Sequence, residues 1–213
     1  MKIGELLEMY ENRKNEIRKK LKEFKKVANH GDERIFAELA FCICTPQSKA
    51  INCWNSISNL VKNNLLFVGK EKEIENFLIG VRFPKNKAKY IVEARRFFTE
   101  SGKLKIKEKI FSFNDTFKLR EWLVKNVKGV GMKEASHFIR NIGFGGEQLA
   151  ILDRHILKNL KKLGIIKIIP KVLTKKTYLE IEKKMRRFSE KINIPMYELD
   201  MLLWSKETGK VFK

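Results

Sequence analysis

Apolar residues recur every three to four positions along most of the chain, and this spacing constrains the fold more than any other feature. Ile17, Leu21 and Phe24 are spaced in this way among lysine and glutamate residues, as expected for a helix with one buried face. No useful length of sequence alternates apolar and polar residues like a half-buried strand, and residues 165–169 are the one short β-like run. The sequence therefore predicts an all-α protein of about ten helices, arranged in two lobes with a cleft between them.

Capping residues place several of the predicted helix boundaries. Asp32 is predicted to cap a helix, since an aspartate side chain can accept hydrogen bonds from the amides at a helix start. Thr45 followed by Pro46 is typical of a cap and a first helical residue, so a helix is predicted to begin there. Thr177 and Glu180 have the spacing of a capping box and predict another helix start.

Positive charge is the first indication of function. The 213 residues include 46 lysine and arginine residues against 25 aspartate and glutamate residues, a formal net charge of +21. Such an excess favours nucleic acid as the partner, although a basic protein without such a partner stays an alternative. Because no stretch resembles a signal peptide or a membrane span, we expect a cytoplasmic, nucleoid-associated prokaryotic protein with no membrane contact. The scarcity of glutamine suits a thermophile.

The three cysteines limit the cofactors that the chain can hold. Cys42, Cys44 and Cys53 lie close together in the sequence, and an odd number of them is no disulfide framework. They are also too few for the four-cysteine ligand set of an iron–sulfur cluster. We therefore predict that the cysteines pack in the core and that the protein has no iron–sulfur cluster.

The most informative stretch contains the sequence KGVGMKEASHFIRN. One predicted helix ends there, Gly129-Val130-Gly131 forms a turn, and a second helix begins at once. Glycines permit positive φ and a close approach of the backbone to a ligand, and the amides at a helix start suit a phosphate group. Val130 is predicted to turn inward. The pattern resembles the helix-hairpin-helix motif of DNA-binding proteins, although an ordinary tight corner between two helices would share it.

Lys133 falls in the first turn of the second predicted helix. A cation at that position opposes the helix dipole, and residues that break a local rule in this way often have a function. The positive potential there favours the neutral amine, which is the form needed for Schiff-base chemistry. From the hairpin alone, a lysine that only contacts phosphate is an equal alternative.

Asp153 changes the balance between these two interpretations. It lies twenty residues after Lys133, behind a glycine-rich loop and before His155, and taken alone it would be only a helix cap. The combination resembles the helix-hairpin-helix superfamily of base excision DNA glycosylases. Its parts are a glycine hairpin, a lysine two residues later, and then a loop with an aspartate at a helix start. That resemblance implies that Lys133 is the amine nucleophile and that Asp153 is the essential carboxylate.

Longer stretches of sequence indicate which type of glycosylase within this superfamily the chain resembles. The segments CTPQSKA, GVRFPKNKAKYI, KGVGMKEASHFIRN and ILDRHIL, with a C-terminal lysine, are similar to the second type of 8-oxoguanine DNA glycosylase/lyase of archaea and some bacteria. The resemblance implies one glycosylase unit over residues 1–213, with the hairpin and the catalytic loop at 118–157 beside the active-site cleft. It also implies a bifunctional enzyme that removes 8-oxoguanine and nicks the abasic strand through a lysine Schiff base.

The same resemblance assigns roles to further residues. Lys213 is expected to recognise the base through its α-carboxylate and its ammonium group, and Trp204 and Phe83 are expected to stack on the base. Without the resemblance, Trp204 would be a core residue and Lys213 a loose chain end. His155 is expected to contact a phosphate and Gln47 to fill the vacated stack, although either could be an ordinary helix residue.

The remaining expectations concern partners and bound ions. Backbone carbonyls around Val127 and Val130 are expected to hold a monovalent cation, as in related hairpins, and no side-chain metal cluster is predicted. The expected partner is double-stranded DNA that contains an oxidised base, and the protein is expected to be a monomer. A glycosylase for another damaged base and a non-catalytic DNA-binding module are the alternatives.

Overall fold

Residues 2–213, which the computed structural model describes, form twelve helices and one two-stranded sheet. The helices are α1 (Ile3–Val27), α2 (Asp32–Cys44), α3 (Ala50–Lys62), α4 (Leu65–Val68), α5 (Glu71–Phe77), α6 (Pro84–Phe97), α7 (Ile106–Phe111), α8 (Thr116–Asn126), α9 (Met132–Asn141), α10 (Arg154–Lys162), α11 (Lys175–Lys191) and α12 (Met196–Thr208). The strands β1 (Thr99–Glu100) and β2 (Lys103–Leu104) pair antiparallel. The prediction of an all-α fold is confirmed.

The chain forms two compact units. The hairpin unit consists of Lys26–Phe144, and the terminal unit consists of the residues up to Lys25 together with Gly145–Lys213. The chain therefore enters the hairpin unit at the last two residues of α1 and leaves it again just after α9.

The hairpin unit is built around α2. All ten residues from Ile35 to Cys44 are buried, and α2 packs against α3, α6, α7 and α9. Nine of these ten residues are apolar, Glu38 being the exception, and a helix that is apolar on nearly every side belongs inside a core rather than on its surface. The three cysteines are buried as predicted, and burial raises the pKa of the Cys53 thiol to about 11.

The terminal unit joins segments that are distant in sequence. Helices α10 and α11 pack against α12, and Tyr10 of α1 donates a hydrogen bond of 2.6 Å to Glu198 of α12. The Arg18 guanidinium also lies 3.2 Å from the Glu198 carboxylate. A buried carboxylate with two such partners avoids the cost of an unpaired charge, so this contact fixes α1 to the C-terminal helices.

Several predicted boundaries are wrong. Asp32 is the first residue of α2, and its carboxylate accepts a hydrogen bond of 2.8 Å from the Lys107 amide instead of capping its own helix. No helix begins at Thr45 and Pro46, because α2 ends at Cys44 and α3 starts only at Ala50. The turn between these helices contains a residue with left-handed φ, a conformation that a helix cannot include.

Two further local predictions are corrected. Helix α11 is capped by Thr174, whose hydroxyl accepts a hydrogen bond from the Thr177 amide, so the capping box does not begin at Thr177. The β-like run at 165–169 forms no strand. The sheet instead lies at residues 99–104, where each strand has two residues, too few for an alternating pattern to be visible in the sequence.

Candidate active site

The hairpin connects α8 to α9 through a turn at residues 127–131. Gly129 has a φ of 82°, and a Cβ built on it would lie 2.5 Å from Cδ2 of the Tyr90 ring. Both the left-handed backbone and the packing of α6 therefore require glycine at this position. Val130 is buried as predicted, and its amide donates to the Val127 carbonyl at 3.2 Å.

Gly131 has a different role from Gly129. Its φ is −97°, which any residue can adopt. Its amide donates a hydrogen bond of 3.1 Å to the Glu134 carboxylate. The amides of Val130 and Gly131 thus already have acceptors inside the protein, so a phosphate group at the hairpin would compete with Glu134 for the Gly131 amide.

Lys133 lies in the first turn of α9, as predicted. Its Nζ donates a hydrogen bond of 2.8 Å to Thr45 Oγ1 and lies 3.4 Å from Glu134 Oε1, and only 18% of its side chain is exposed. The amine is therefore held in one place by neighbours from α9 and from the turn after α2, which favours reaction at a defined position.

A second lysine contacts the turn after α2 from α6. Lys87 of α6 is buried, and its Nζ donates to the backbone of Cys44 and Pro46 and to the hydroxyl of Ser48. The sequence pattern predicts no site role for either Lys87 or Thr45. The available signal was that Lys87 shares the helical face of Ala88 and Ile91, where a lysine is unexpected.

Asp153 is the N-cap of α10. Its Oδ1 accepts hydrogen bonds of 2.8 Å from the amides of both His155 and Ile156. Asp153 and His155 are each half-buried. The capping interpretation is therefore correct, and it does not compete with a catalytic role, because the cap fixes the orientation of the carboxylate and uses only one of its oxygen atoms.

The backbone before Asp153 is held by buried polar side chains of α11 and α12. Glu182 accepts from the Ala150 amide at 2.8 Å, and Asp200 accepts from the Ile151 amide at 2.9 Å. The Tyr178 hydroxyl donates to the Ala150 carbonyl at 2.5 Å. Within this segment the Asp153 amide donates to the Ile151 carbonyl at 2.7 Å, and the amides of Ala150 and Ile151 depend on the side chains of Glu182 and Asp200. These side chains take the place of a neighbouring strand and fix the approach to the cap.

The other predicted site residues occupy varied positions. Trp204 is half-buried on α12, Lys213 is half-buried beyond the end of α12, and Phe83 is the N-cap of α6. Phe83 is 52% exposed with a φ of 56°, and the Arg82 guanidinium lies over its ring. Left-handed φ is rare for a large side chain and is often found at functional sites.

Gln47 lies in the turn before α3, and the prediction that it stands at a helix start is wrong. It is exposed and has a φ of 56°. The hairpin unit therefore contains Lys133, the hairpin glycines, Gln47 and Phe83, whereas the terminal unit contains Asp153, His155, Trp204 and Lys213.

Membrane spans and side-chain metal clusters are both absent from residues 2–213. No helix in this range is both long and apolar enough to cross a membrane. Within the same residues, no three or more histidine, cysteine, aspartate or glutamate side chains are grouped so that they could hold a metal ion. The side-chain groups that the predicted site residues supply are two amines, a carboxylate, an imidazole, a carboxamide and two aromatic rings.

The fold and the site define the class of helix-hairpin-helix DNA glycosylases. The fold is helical and contains a glycine hairpin, a lysine begins the second helix of that hairpin, and an aspartate caps a later helix. Residues 17–194 match the family model described as 8-oxoguanine DNA glycosylase. The chain belongs to this family.

Known relatives resemble the chain along nearly its full length. An 8-oxoguanine DNA glycosylase/AP lyase of Fusobacterium nucleatum is 50% identical over 212 residues, which cover 99% of this chain and 97% of the relative. The corresponding protein of Methanocaldococcus jannaschii is 42% identical over 202 residues, covering 94% and 93%. The crystal structure of the M. jannaschii 8-oxoguanine glycosylase/lyase in complex with a 15mer DNA containing 8-oxoguanine superimposes with a TM-score of 0.90, at 38% identity and with both chains fully covered.

Proposed function

We propose that this chain removes 8-oxoguanine from DNA and then cleaves the abasic strand by β-elimination. The observation that carries the proposal is an enclosed lysine amine in the first turn after the hairpin. It occurs in a chain that is 50% identical over nearly its whole length to an 8-oxoguanine DNA glycosylase/AP lyase. The net charge of +21 suits a polyanionic substrate.

Lys133 supplies the nucleophile in this proposal. The damaged nucleotide leaves the base stack, because its glycosidic bond cannot be reached inside a duplex. The neutral Nζ attacks C1′ of the deoxyribose, and the bond from C1′ to the base breaks with its electrons leaving on the base, which is then protonated. The sugar ring opens to a Schiff base between Nζ and C1′. Loss of a proton from C2′ then expels the 3′ phosphate and nicks the strand.

Asp153 stabilises the positive charge that develops on the sugar as the base leaves. Both capping hydrogen bonds end on Oδ1, so Oδ2 is the oxygen that approaches the sugar. The anchored segment at 150–152 holds the carboxylate in place during this step, so little reorganisation is needed when the charge appears.

Base recognition is assigned to aromatic and cationic side chains. Trp204 and Phe83 supply faces for stacking on the extruded base, and the Lys213 ammonium group approaches its acceptor atoms. His155 contacts a phosphate near the lesion. Gln47, exposed in its turn, fills the space that the extruded base leaves in the stack.

The hairpin holds the DNA backbone through the amides of Gly129, Val130 and Gly131, assisted by the start of α9. The Val130 amide donates to the Val127 carbonyl and the Gly131 amide donates to Glu134, so a phosphate must share the first donor with that carbonyl and displace the carboxylate from the second. A monovalent cation fits the carbonyl oxygens of Val127 and Val130, which are neutral, hard donors, and Val127 has a lone pair beyond the one used by the Val130 amide. When bound, the cation would supply positive charge for the phosphate.

The protein acts as a monomer and is associated with chromosomal DNA, where its substrate occurs. Light scattering of the free protein should give the mass of one chain. A stable dimer would contradict the monomer assignment and would leave the catalytic proposal unaffected.

The function is tested on two duplexes that differ only in one base, 8-oxoguanine or guanine. The wild-type protein should release the base and nick the strand only where 8-oxoguanine is present. Lys133→Gln should lower the nicking rate by roughly 10³-fold or more while still binding DNA. Lys128→Gln, which changes an exposed lysine of the same hairpin, is the matched control and should still nick.

The alternatives give different results in this assay. Nicking of a duplex with an oxidised pyrimidine, without action on 8-oxoguanine, would show that the base assignment is wrong and the lyase assignment is right. Tight, salt-sensitive binding with no cleavage of either duplex or of abasic DNA would show a DNA-binding module.

A further inference from the structure

Lys87 is a buried lysine that the proposed reaction does not use. It is 5% exposed, and its ammonium group lies 2.6 Å from the Cys44 carbonyl, 2.8 Å from the Pro46 carbonyl and 3.0 Å from Ser48 Oγ. An ammonium group has three donors, so each of them has an acceptor in residues 44–48, which are the end of α2 and the turn that follows it. Burial lowers the pKa of this group.

The turn held by Lys87 is strained and lies outside any helix. Gln47 at its tip has left-handed φ, and α3 begins only at Ala50. The carbonyls of Cys44 and Pro46 accept from the Lys87 ammonium, and no helix continues through them. A buried charge is costly unless it is fully hydrogen-bonded, so the geometry of the turn and the position of Lys87 depend on each other.

The turn places the hydroxyl group of Thr45 next to the amine of Lys133. Thr45 Oγ1 donates its proton to the Cys42 carbonyl at 2.9 Å and accepts a hydrogen bond from the Lys133 Nζ at 2.8 Å. Because the one proton of the hydroxyl is already committed, the oxygen presents a lone pair to Lys133. Nζ therefore donates one of its hydrogens to Thr45, and in the neutral amine this excludes the nitrogen lone pair from that direction and leaves it the two other staggered positions.

The same turn is tied to the segment that precedes α6. Ser48 Oγ accepts from the Arg82 amide at 2.9 Å in addition to the Lys87 ammonium. Phe83, one of the residues proposed to stack on the base, follows directly. One buried lysine thus organises the surroundings of the proposed nucleophile, the proposed stack-filling residue Gln47 and a proposed stacking residue.

We propose that Thr45 and Lys87 are positioning residues for Lys133: Thr45 aims the amine, and Lys87 holds Thr45 in place by fixing residues 44–48. The proposal rests on the proposed function, since it assumes that Lys133 attacks the sugar. Neither residue needs to contact DNA. Their effect should therefore fall on the rate of the chemical step, and binding of DNA should be unchanged.

The test compares two substitutions at Thr45. Thr45→Val keeps the shape and removes the oxygen, and Thr45→Ser keeps the oxygen. The measurements are the single-turnover nicking rate at saturating protein, the dissociation constant for the same 8-oxoguanine duplex, and the thermal unfolding midpoint. Thr99→Val is the matched control, because the Thr99 hydroxyl also makes a hydrogen bond of 2.8 Å to a backbone carbonyl in the same unit, that of Arg95.

Thr45→Val should lower the single-turnover rate by about tenfold or more, which corresponds to ~1.4 kcal/mol of barrier, with the dissociation constant changed less than about twofold. Thr45→Ser should restore most of the rate, and Thr99→Val should nick at the wild-type rate. Lys87→Met should be at least as slow as Thr45→Val, and adding Thr45→Val to it should cost little more, because both act on one contact.

A wild-type rate in Thr45→Val would overturn the proposal, as would an equal loss of rate in Thr99→Val, which would show a general effect of lost stability. If Lys87→Met does not fold, the two Thr45 variants still decide the role of the hydroxyl. A wild-type protein that does not nick 8-oxoguanine DNA would instead overturn the proposed function, and this inference with it.

Discussion

Gly129 is the hairpin residue at which one added methyl group has the most clearly defined consequence. Its φ is 82°, and a Cβ there would meet the Tyr90 ring at distances of 2.5, 3.1 and 3.2 Å. An L-residue in the left-handed region costs about 1–2 kcal/mol, and forcing a methyl group into a packed contact costs about 1–3 kcal/mol more. We therefore expect Gly129→Ala to lower the free energy of unfolding by about 2–5 kcal/mol.

The two contributions can be separated by urea unfolding followed by circular dichroism. In a Tyr90→Ala background the ring is absent, so the cost of Gly129→Ala should fall to about 1–2 kcal/mol, which is the backbone cost alone. Gly102→Ala is the matched control. Gly102 lies in the same unit with a φ of 74°, but a Cβ added to it would have no atom within 4 Å, so it should also show only the backbone cost.

The expected clash with the Tyr90 ring would be refuted if Gly129→Ala were no more destabilising than Gly102→Ala. It would also be refuted if the cost of Gly129→Ala were the same with and without the Tyr90 ring. Either result would mean that the hairpin and α6 move apart easily, and that the close packing of the turn is not what fixes its shape.

Three further predictions concern the terminal unit. Tyr178→Phe removes the hydroxyl that donates to the Ala150 carbonyl and should slow single-turnover nicking several-fold, with DNA affinity little changed, since it loosens the segment before the proposed carboxylate. Burial raises the pKa of Glu207, but hydrogen bonds from Asn159, Lys206 and Lys158 together outweigh it and lower the pKa to about 2. Its stabilising contribution is therefore full above its ordinary pKa of 4.5 and is lost as the pH falls towards 2. Glu207→Gln should flatten that part of the stability profile in acid unfolding experiments, and an unchanged profile would contradict the assignment. Lys213→Met should reduce the ratio of cleavage at 8-oxoguanine to cleavage at guanine more than it reduces binding to undamaged duplex. An unchanged ratio would show that Lys213 does not take part in base recognition.

Much of the fold could be predicted from the sequence because helical periodicity is a local property. The spacing of apolar residues indicated most of the helices, and the glycines with Val130 indicated the hairpin and its buried valine. The short elements were missed for a physical reason. A four-residue helix such as α4 and the two-residue strands at 99–104 contain too few residues to show a period.

The errors at Thr45 and Gln47 have another cause. Threonine followed by proline is a reasonable local helix start, but the turn is fixed by Lys87, which lies forty-one residues beyond Pro46 in the sequence. The position of Lys133 in the helix could be predicted, whereas its hydrogen bond to Thr45 spans eighty-eight residues. Contacts of this kind depend on the packed core, and no local pattern encodes them.

Attack of the Lys133 amine on the sugar would leave a covalent bond between them, and locating that bond identifies the nucleophile. The protein is mixed with 8-oxoguanine duplex in the presence of borohydride, which reduces a Schiff base to a stable amine. The trapped complex is then digested and analysed by mass spectrometry. We expect a sugar adduct on Lys133 and none with the guanine duplex. An adduct on Lys87 or on another amine, or nicking without any trapped complex, would contradict this expectation.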